Sequence, residues 1–281
     1  MQTTELDPTL SQTLSDARKP GLTLVIGNKN YSSWSMRPWV ALTAFGIPFQ
    51  EVRVLLDMPD TATRIAEYSG AGRVPVLIAG EMTIWDSLAI CEYAAEQFPD
   101  KHMWPQDVAA RAMARSVCAE MHSGFSGLRS AMSMNIRASL PGRGRTAEAQ
   151  GDIGRICEIW ETCLSNFGHH QYLFGDFSIA DAYYAPVCSR IRTYALPVGD
   201  VAAAYVERIH DLPSMRAWCG AAARSTCPAA SSACASRRGY ASSATRPRCC
   251  RWRCNRWPAA SPPAGRILGP TRSSSITDRG T

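Results

Sequence analysis

The stretch that decides the fold is NKNYSSWSMRPWVAL, residues 28–42. It sets a tyrosine, a tryptophan and the pair Ser32-Ser33 just ahead of Arg37-Pro38 and an apolar run. Before it lies Leu22-Thr23-Leu24-Val25-Ile26, an apolar segment of strand character that ends at Gly27. A strand thus delivers hydroxyls to the mouth of a helix, expected over residues 39–44 and ending near Gly46. Free amides and the positive end of the helix dipole favour an anion there. If the anion is a thiolate, a hydroxyl donating to sulfur lowers the thiol pKa and holds a nucleophile at neutral pH. On this stretch alone, simple capping of the helix by Ser32 or Ser33 is an equal alternative.

Working outward, strand and helix signals alternate. Residues 49–56 (FQEVRVLL) have the β-branched and apolar character of a second strand. Residues 74–78 and 82–85 form two short strands around Ala79-Gly80-Glu81, the spacing of a hairpin. Residues 87–98 are helical, with Leu88, Cys91, Ala94 and Ala95 on one stripe and Glu92 and Glu96 off it. The order β-α-β-α-β-β-α over 21–100 describes a small α/β sandwich. A linker at 101–105, part of the break that opens at Pro99, leads to helical stretches over 106–224. One helix start there is marked by Ser178 and Asp181, a capping box in which each partner is expected to contribute about 1 kcal/mol.

Composition divides the chain. Of its 281 residues 46% are hydrophobic and 19% charged, which fits a globular protein. Residues 1–20 are polar and acidic, read as a flexible extension with no signal-peptide pattern. No apolar run is long enough to span a membrane, so a cytoplasmic address is expected. Residues 225–281 carry ten arginines and one aspartate, a charge of +9 against +6 for the whole chain, which leaves −3 for 1–224. Ala, Ser, Pro, Arg and Cys make up 40 of these 57 residues, with no amphipathic period. Such a mixture suits a GC-rich gene read out of frame better than a nucleic-acid-binding tail, in which lysines and regular spacing are expected. The tail is therefore read as aberrant and disordered, with no specific nucleic-acid partner. Cys91, Cys118, Cys157, Cys163, Cys188 and Cys219 are scattered singly and read as buried reduced thiols, with no metal site.

A second stretch narrows the ligand: GRVPVL at 72–77, then WDSLAI at 85–90. Pro75 cannot donate a ladder bond, which leaves Val74 with backbone groups for an extended peptide ligand. Asp86 suits an ammonium, while the Ser87 hydroxyl and helix amides suit a carboxylate. Thiol, peptide backbone, carboxylate and ammonium together describe glutathione.

These residues resemble the cytosolic glutathione S-transferase family over 21 to about 224. The resemblance rests on YSSWSMRPWVAL, RVPVL, WDSLAICEYAAEQFP, FSIADAYYAP and DLPSMRAW, in that order. The serine-led first motif is closest to the serine-type bacterial and zeta-like branches. EMHSGF at 120–125 and MNIR at 134–137 look like a bacterial subgroup signature. The resemblance implies an α/β thioredoxin-like N-terminal domain plus an all-α C-terminal domain, glutathione as co-substrate, and a homodimer. It makes Ser32 the thiol activator with Ser33 as alternative, and adds Trp34, Arg37 and Arg73 to the glutathione site. Val74 pairs with the cysteinyl backbone, Pro75 is a cis-proline, and Asp86 with Ser87 holds the γ-glutamyl end. His122, Phe125 and Arg129 line the pocket for a small electrophile, and Arg129 and Arg137 meet an anionic substrate or face solvent. Conjugation is the expected reaction, with a peroxidase, an isomerase or a non-catalytic glutathione-binding protein as alternatives. Trp34 stands where zeta-like members carry cysteine, which speaks against maleylacetoacetate isomerase and against thiol-transferase chemistry. Ser69-Gly70 replaces the family's Asn-Pro ahead of the Val-Pro motif.

Overall fold

The computed structural model describes residues 21–167 and 171–224. The N-terminal part runs β1 (Leu22–Ile26), α1 (Ser33–Ala44), β2 (Gln50–Arg53), α2 (Thr61–Ala66), β3 (Val76–Ala79), β4 (Met82–Trp85) and α3 (Ser87–Gln97). The strands form one sheet in the order β2-β1-β3-β4. β1 runs parallel to β2, with Val25 opposite Val52, and antiparallel to β3, with Val25 opposite Val76. The hairpin of β3 and β4 pairs Val76 with Trp85. Because β1 is an inner strand, its alternate side chains feed two cores. Leu22, Leu24 and Ile26 join the large core with Met36 and Leu42 of α1 and Ile90 of α3. Val25 joins a smaller one with Val54, Ile65 and Val76 on the α2 side.

Three boundaries differ from the sequence reading. The helix expected over 39–44 begins at Ser33 and carries Pro38 inside it. Proline is commonest in a helix's first turn, so Pro38 drew the expected start to itself. Here it sits past the first turn, and the only loss is one bond to the Trp34 carbonyl. The second strand is shorter than expected, pairing only over Gln50–Arg53. The third starts at Val76 rather than residue 74, because the ladder begins where Val76 meets Val25.

Beyond a 3-10 turn at Pro99–Lys101, the described residues form α4 (Val108–Ser123), α5 (Ser126–Ala131), α6 (Ala147–Asn166), α7 (Ile179–Tyr194), α8 (Asp200–Asp211) and α9 (Pro213–Arg224). In α7 every residue except Arg192 is buried, so it is the axis of this part, packed against α1, α4 and α8. The capping box at its start is present. Asp181 accepts from the Ser178 amide at 2.9 Å and hydroxyl at 3.1 Å, from Leu173 N at 3.1 Å and from Tyr205 Oη of α8 at 2.9 Å. Its role is thus wider than a cap.

The six cysteines outside the tail are free; Cys157 and Cys219 are half-buried and the other four buried. No helix among the described residues is long and apolar enough to cross a membrane, and those residues hold no cluster of metal-ligating side chains. The readings of 1–20 and 225–281 lie outside the described residues.

Candidate active site

The turn from β1 into α1 is tied down at several points. Asn28 accepts backbone bonds from Tyr31 (3.0 Å) and Ser32 (2.8 Å), and its side chain accepts from Leu56 N at 2.7 Å. Lys29 is buried, its ammonium 2.6 Å from Glu51 and 4.1 Å over the Trp39 ring, while its carbonyl accepts from Trp218 Nε1 of α9. Asn30 reaches across to Asn135 at 2.8 Å and accepts from Arg137 N at 3.0 Å. This loop is therefore positioned by both halves of the protein.

Ser32 is the N-cap residue of α1, yet its side chain makes no cap bond. Its hydroxyl is donated to Ser35 Oγ at 2.8 Å, and Ser35 Oγ also accepts from Gly27 N at 3.1 Å. Capping by Ser32, the alternative raised above, is thus not what its hydroxyl does. Ser33 is the first helical residue and is also buried. Ser35 was missed in the sequence: its role depends on one turn of helix bringing its hydroxyl back to Gly27, which no motif records.

Asp86 and Ser87 open α3. Asp86 has φ 79° and ψ 135°, a left-side conformation that an L-residue keeps only when its surroundings enforce it. Its Oδ1 caps the helix through Leu88 N at 2.8 Å, and its side chain remains 43% exposed. Ser87, by contrast, is 1% exposed and shares a 2.8 Å bond with the hydroxyl of Tyr183 of α7. His122 of α4 completes a circuit: Nδ1 lies 2.9 Å from Tyr183 Oη, and Nε2 lies 3.3 Å from Asp86 Oδ2. The Trp34 ring meets the His122 ring edge-on at 5.1 Å.

Arg37 runs under this circuit, fully buried. Its guanidinium is sandwiched 4.1 Å from the Trp34 ring and 4.6 Å from the Tyr183 ring, and Nε donates to the Tyr183 carbonyl at 3.2 Å. Nη1 has no hydrogen-bond partner among the described residues. Two aromatic faces and one carbonyl compensate the charge only in part, and burial pulls the Arg37 pKa below its ordinary value. Burial likewise lowers the His122 pKa; Asp86 opposes that shift, while Arg37 and Arg129 reinforce it.

Of the other residues singled out, Val74 and Pro75 meet through a cis peptide bond just before β3, and Arg73 is exposed. Arg129 is half-buried, donates to the Met121 carbonyl at 3.0 Å and lies 5.6 Å from the Trp34 ring. Phe125 is buried in the core and adopts a left-handed conformation at the start of α5. Arg137 is exposed and meets Asn30 through its backbone amide. Trp34, Arg37, Asp86, Ser87 and His122 are thus brought together around Tyr183. Tyr183 was read only as part of a folding element, because in sequence its helix is an unbroken buried run.

A four-stranded mixed sheet with flanking helices, joined to a helical domain, defines a thioredoxin-like fold of the glutathione transferase type. The chain matches the family models for the glutathione S-transferase N-terminal domain over residues 31–97 and C-terminal domain over residues 143–221. It is 31% identical over 159 residues to glutathione S-transferase 1 of Dianthus caryophyllus, covering 55% of this chain and 71% of that one. It is 25% identical to glutathione S-transferase Z1 of Arabidopsis thaliana, covering 67% of this chain and 89% of that one. Among solved structures, a glutathione transferase homologue from Burkholderia with bound glutathione superposes with a TM-score of 0.57 at 26% identity, covering 73% of this chain and all of that one. The chain belongs to the glutathione S-transferase family.

Proposed function

We propose that the protein is a serine-type glutathione transferase that activates the thiol of glutathione for attack on small electrophiles. The observation that carries this reading is Ser32, poised where β1 meets the N-terminus of α1, with its hydroxyl on the Ser35 hydroxyl rather than on a helix amide. Turning the Ser35 proton onto Ser32 frees the Ser32 proton for a sulfur. Meanwhile the Gly27 amide keeps Ser35 in place. The α1 dipole favours the same thiolate. Val74, preceding the ladder, has its backbone available to the cysteinyl residue of glutathione, and the exposed Asp86 carboxylate suits the γ-glutamyl ammonium. Trp34 and Arg129 sit beside this end of the site and suit the mouth of the electrophile pocket. A panel of aryl halides, epoxides, unsaturated carbonyls and organic peroxides tests the reaction. Conjugation supports this reading; turnover of peroxides alone makes the protein a glutathione peroxidase, and retention on immobilised glutathione without turnover makes it a binding protein. A zeta-class glutathione S-transferase of Euphorbia esula, 34% identical over 83 residues, and a probable maleylacetoacetate isomerase of Caenorhabditis elegans, 32% identical over 94 residues, support placement near that branch. Trp34 in place of cysteine still argues against the isomerase reaction here.

The active form is a cytoplasmic homodimer in this reading. Edge strand β4 supports it, with Trp85 57% exposed as apolar surface that a second copy can cover. Trp85→Glu is expected to convert a dimer to a monomer in sedimentation equilibrium, and an unaltered dimer mass rejects this face. In this reading residues 225–281 are out-of-frame translation, which has no reason to encode part of a site. Deleting them is expected to leave glutathione affinity within about twofold and to keep or improve solubility, because Cys and Trp favour association wherever they meet solvent. Loss of binding on truncation, measured by calorimetry, overturns the frameshift reading.

A further inference from the structure

The circuit between Asp86, His122, Tyr183 and Ser87 has a direction that can be read from its chemistry. A carboxylate only accepts, so the nitrogen facing it, His122 Nε2 at 3.3 Å, carries the proton when the ring is neutral. Nδ1 is then bare and accepts from Tyr183 Oη at 2.9 Å. Tyr183 in turn accepts from Ser87 Oγ at 2.8 Å. Donation therefore runs from Ser87 to Tyr183 to His122, whose Nε2 faces Asp86 at 3.3 Å. A second proton on the ring reverses the Tyr183 and Ser87 hydroxyls and sets an imidazolium directly against Asp86.

We propose that His122 is a positioning and specificity residue for the γ-glutamyl ammonium of glutathione: neutral, it orients the Asp86 carboxylate and leaves its charge to the ligand. Protonated, it takes that charge for itself. This inference rests on glutathione binding at Asp86 as read above. Ser87 is 1% exposed and committed to Tyr183, so Asp86, with 43% of its side chain exposed, is the group that meets the ligand's charge. Leu88 N holds Oδ1, while Oδ2 faces His122 Nε2 at 3.3 Å, so the two carboxylate oxygens have different neighbours. One negative charge then serves either imidazolium or ammonium well, but not both, since the two cations repel at close range.

The groups facing His122 are Asp86 from α3, Arg37 from α1, Arg129 from α5 and Tyr183 from α7, with the Trp34 ring against its edge. Burial, opposed by Asp86 and reinforced by Arg37 and Arg129, holds the imidazole pKa below its ordinary value and so favours the neutral ring at pH 7. The sign follows: ligand binding selects neutral His122, so affinity is full above the His122 pKa and is lost as pH falls through it. Linkage is reciprocal, and bound glutathione must lower the His122 pKa further.

The test compares glutathione with glutaryl-cysteinyl-glycine, which lacks only the α-amino group, by calorimetry on the full chain at pH 7.5 and 5. Glutathione is expected to bind several-fold more weakly at pH 5, and the deaminated analogue equally at both. His122→Gln can still donate to Asp86 but cannot ionise, so its ratio of affinities at the two pH values should fall below about twofold. Tyr183→Phe removes the Nδ1 partner in both protonation states, and because the bond accepted from an imidazolium is the stronger, it should move the pH midpoint downward. On the wild-type protein, the His122 imidazole pKa measured by NMR should drop on adding glutathione and stay put with the analogue, which decides the matter even if a variant fails to fold. The same pH loss in His122→Gln, or an imidazole pKa indifferent to glutathione, overturns the proposal. Glutathione binding that ignores pH removes the His122 role and leaves the transferase reading standing. No binding of either ligand at pH 7.5 removes both.

Discussion

Alanine at Ser32 is expected to lower kcat for conjugation by about 10²–10³, the cost of one preorganised donor to a developing or standing anion. The pKa of the bound glutathione thiol, followed by thiolate absorbance in the ultraviolet, should rise to that of free glutathione in the same variant. Ser35→Ala should do less, because Ser35 acts through Ser32: its hydroxyl receives both the Ser32 proton at 2.8 Å and the Gly27 amide at 3.1 Å. If the bound thiol titrates identically in wild type and Ser32→Ala, the activating group is another, and Ser33, the next residue on the same turn, becomes the one to replace.

The second large effect lies far from the thiol. Replacing Asp181 by alanine is expected to destabilise the protein by about 3–5 kcal/mol, several times the roughly 1 kcal/mol of a helix cap. The reason is the company the carboxylate keeps. It is fully buried, and its loss strands two backbone amides, the Ser178 hydroxyl and the Tyr205 hydroxyl together. Against a typical total of about 5–15 kcal/mol, that is enough to depopulate the native state in mild urea. Ser178→Ala should cost only about 1 kcal/mol. Burial pushes the Asp181 pKa up to about 6 despite those four donors. A carboxyl whose folded pKa is raised contributes stability below its ordinary pKa and loses it as pH climbs through the folded value. This group therefore opposes folding progressively from about pH 4 to 6, and the penalty persists above that window. Urea midpoints at pH 5 and 7.5 measure both claims; a change below about 1 kcal/mol for Asp181→Ala refutes the first.

Much of the fold was legible because the signals were local. The alternation in Leu22–Ile26, the hairpin around Gly80 and the pairing of Ser178 with Asp181 each sit within a few residues of chain. Asp86 and Ser87 were legible as a helix start for the same reason. What escaped depends on distant residues meeting. Tyr183 lies 96 positions from Ser87 and 61 from His122, and nothing about its place in an apolar helix marks it as the hub of a polar circuit. Arg37 enters the sequence reading only through the family resemblance, as part of the glutathione site, and nothing local shows that it is wholly buried because α7 supplies the ring and the carbonyl that receive it. Pro38 misled for a subtler reason: its preference for first turns is statistical, while packing of α1 against α7 and α3 decided where the helix began.

The Lys29 and Arg37 contacts bear on how the protein can be divided. Each cation belongs to the N-terminal half by sequence and takes part of its shelter from the C-terminal half, Lys29 under Trp218 and Arg37 beneath Tyr183. Severing the chain at the linker would leave the sheet domain with a guanidinium and an ammonium bared along its largest apolar face, and the helical bundle with two aromatic sockets open to water. The boundary that looks like a hinge on the page is a shared wall, and neither room stands without it.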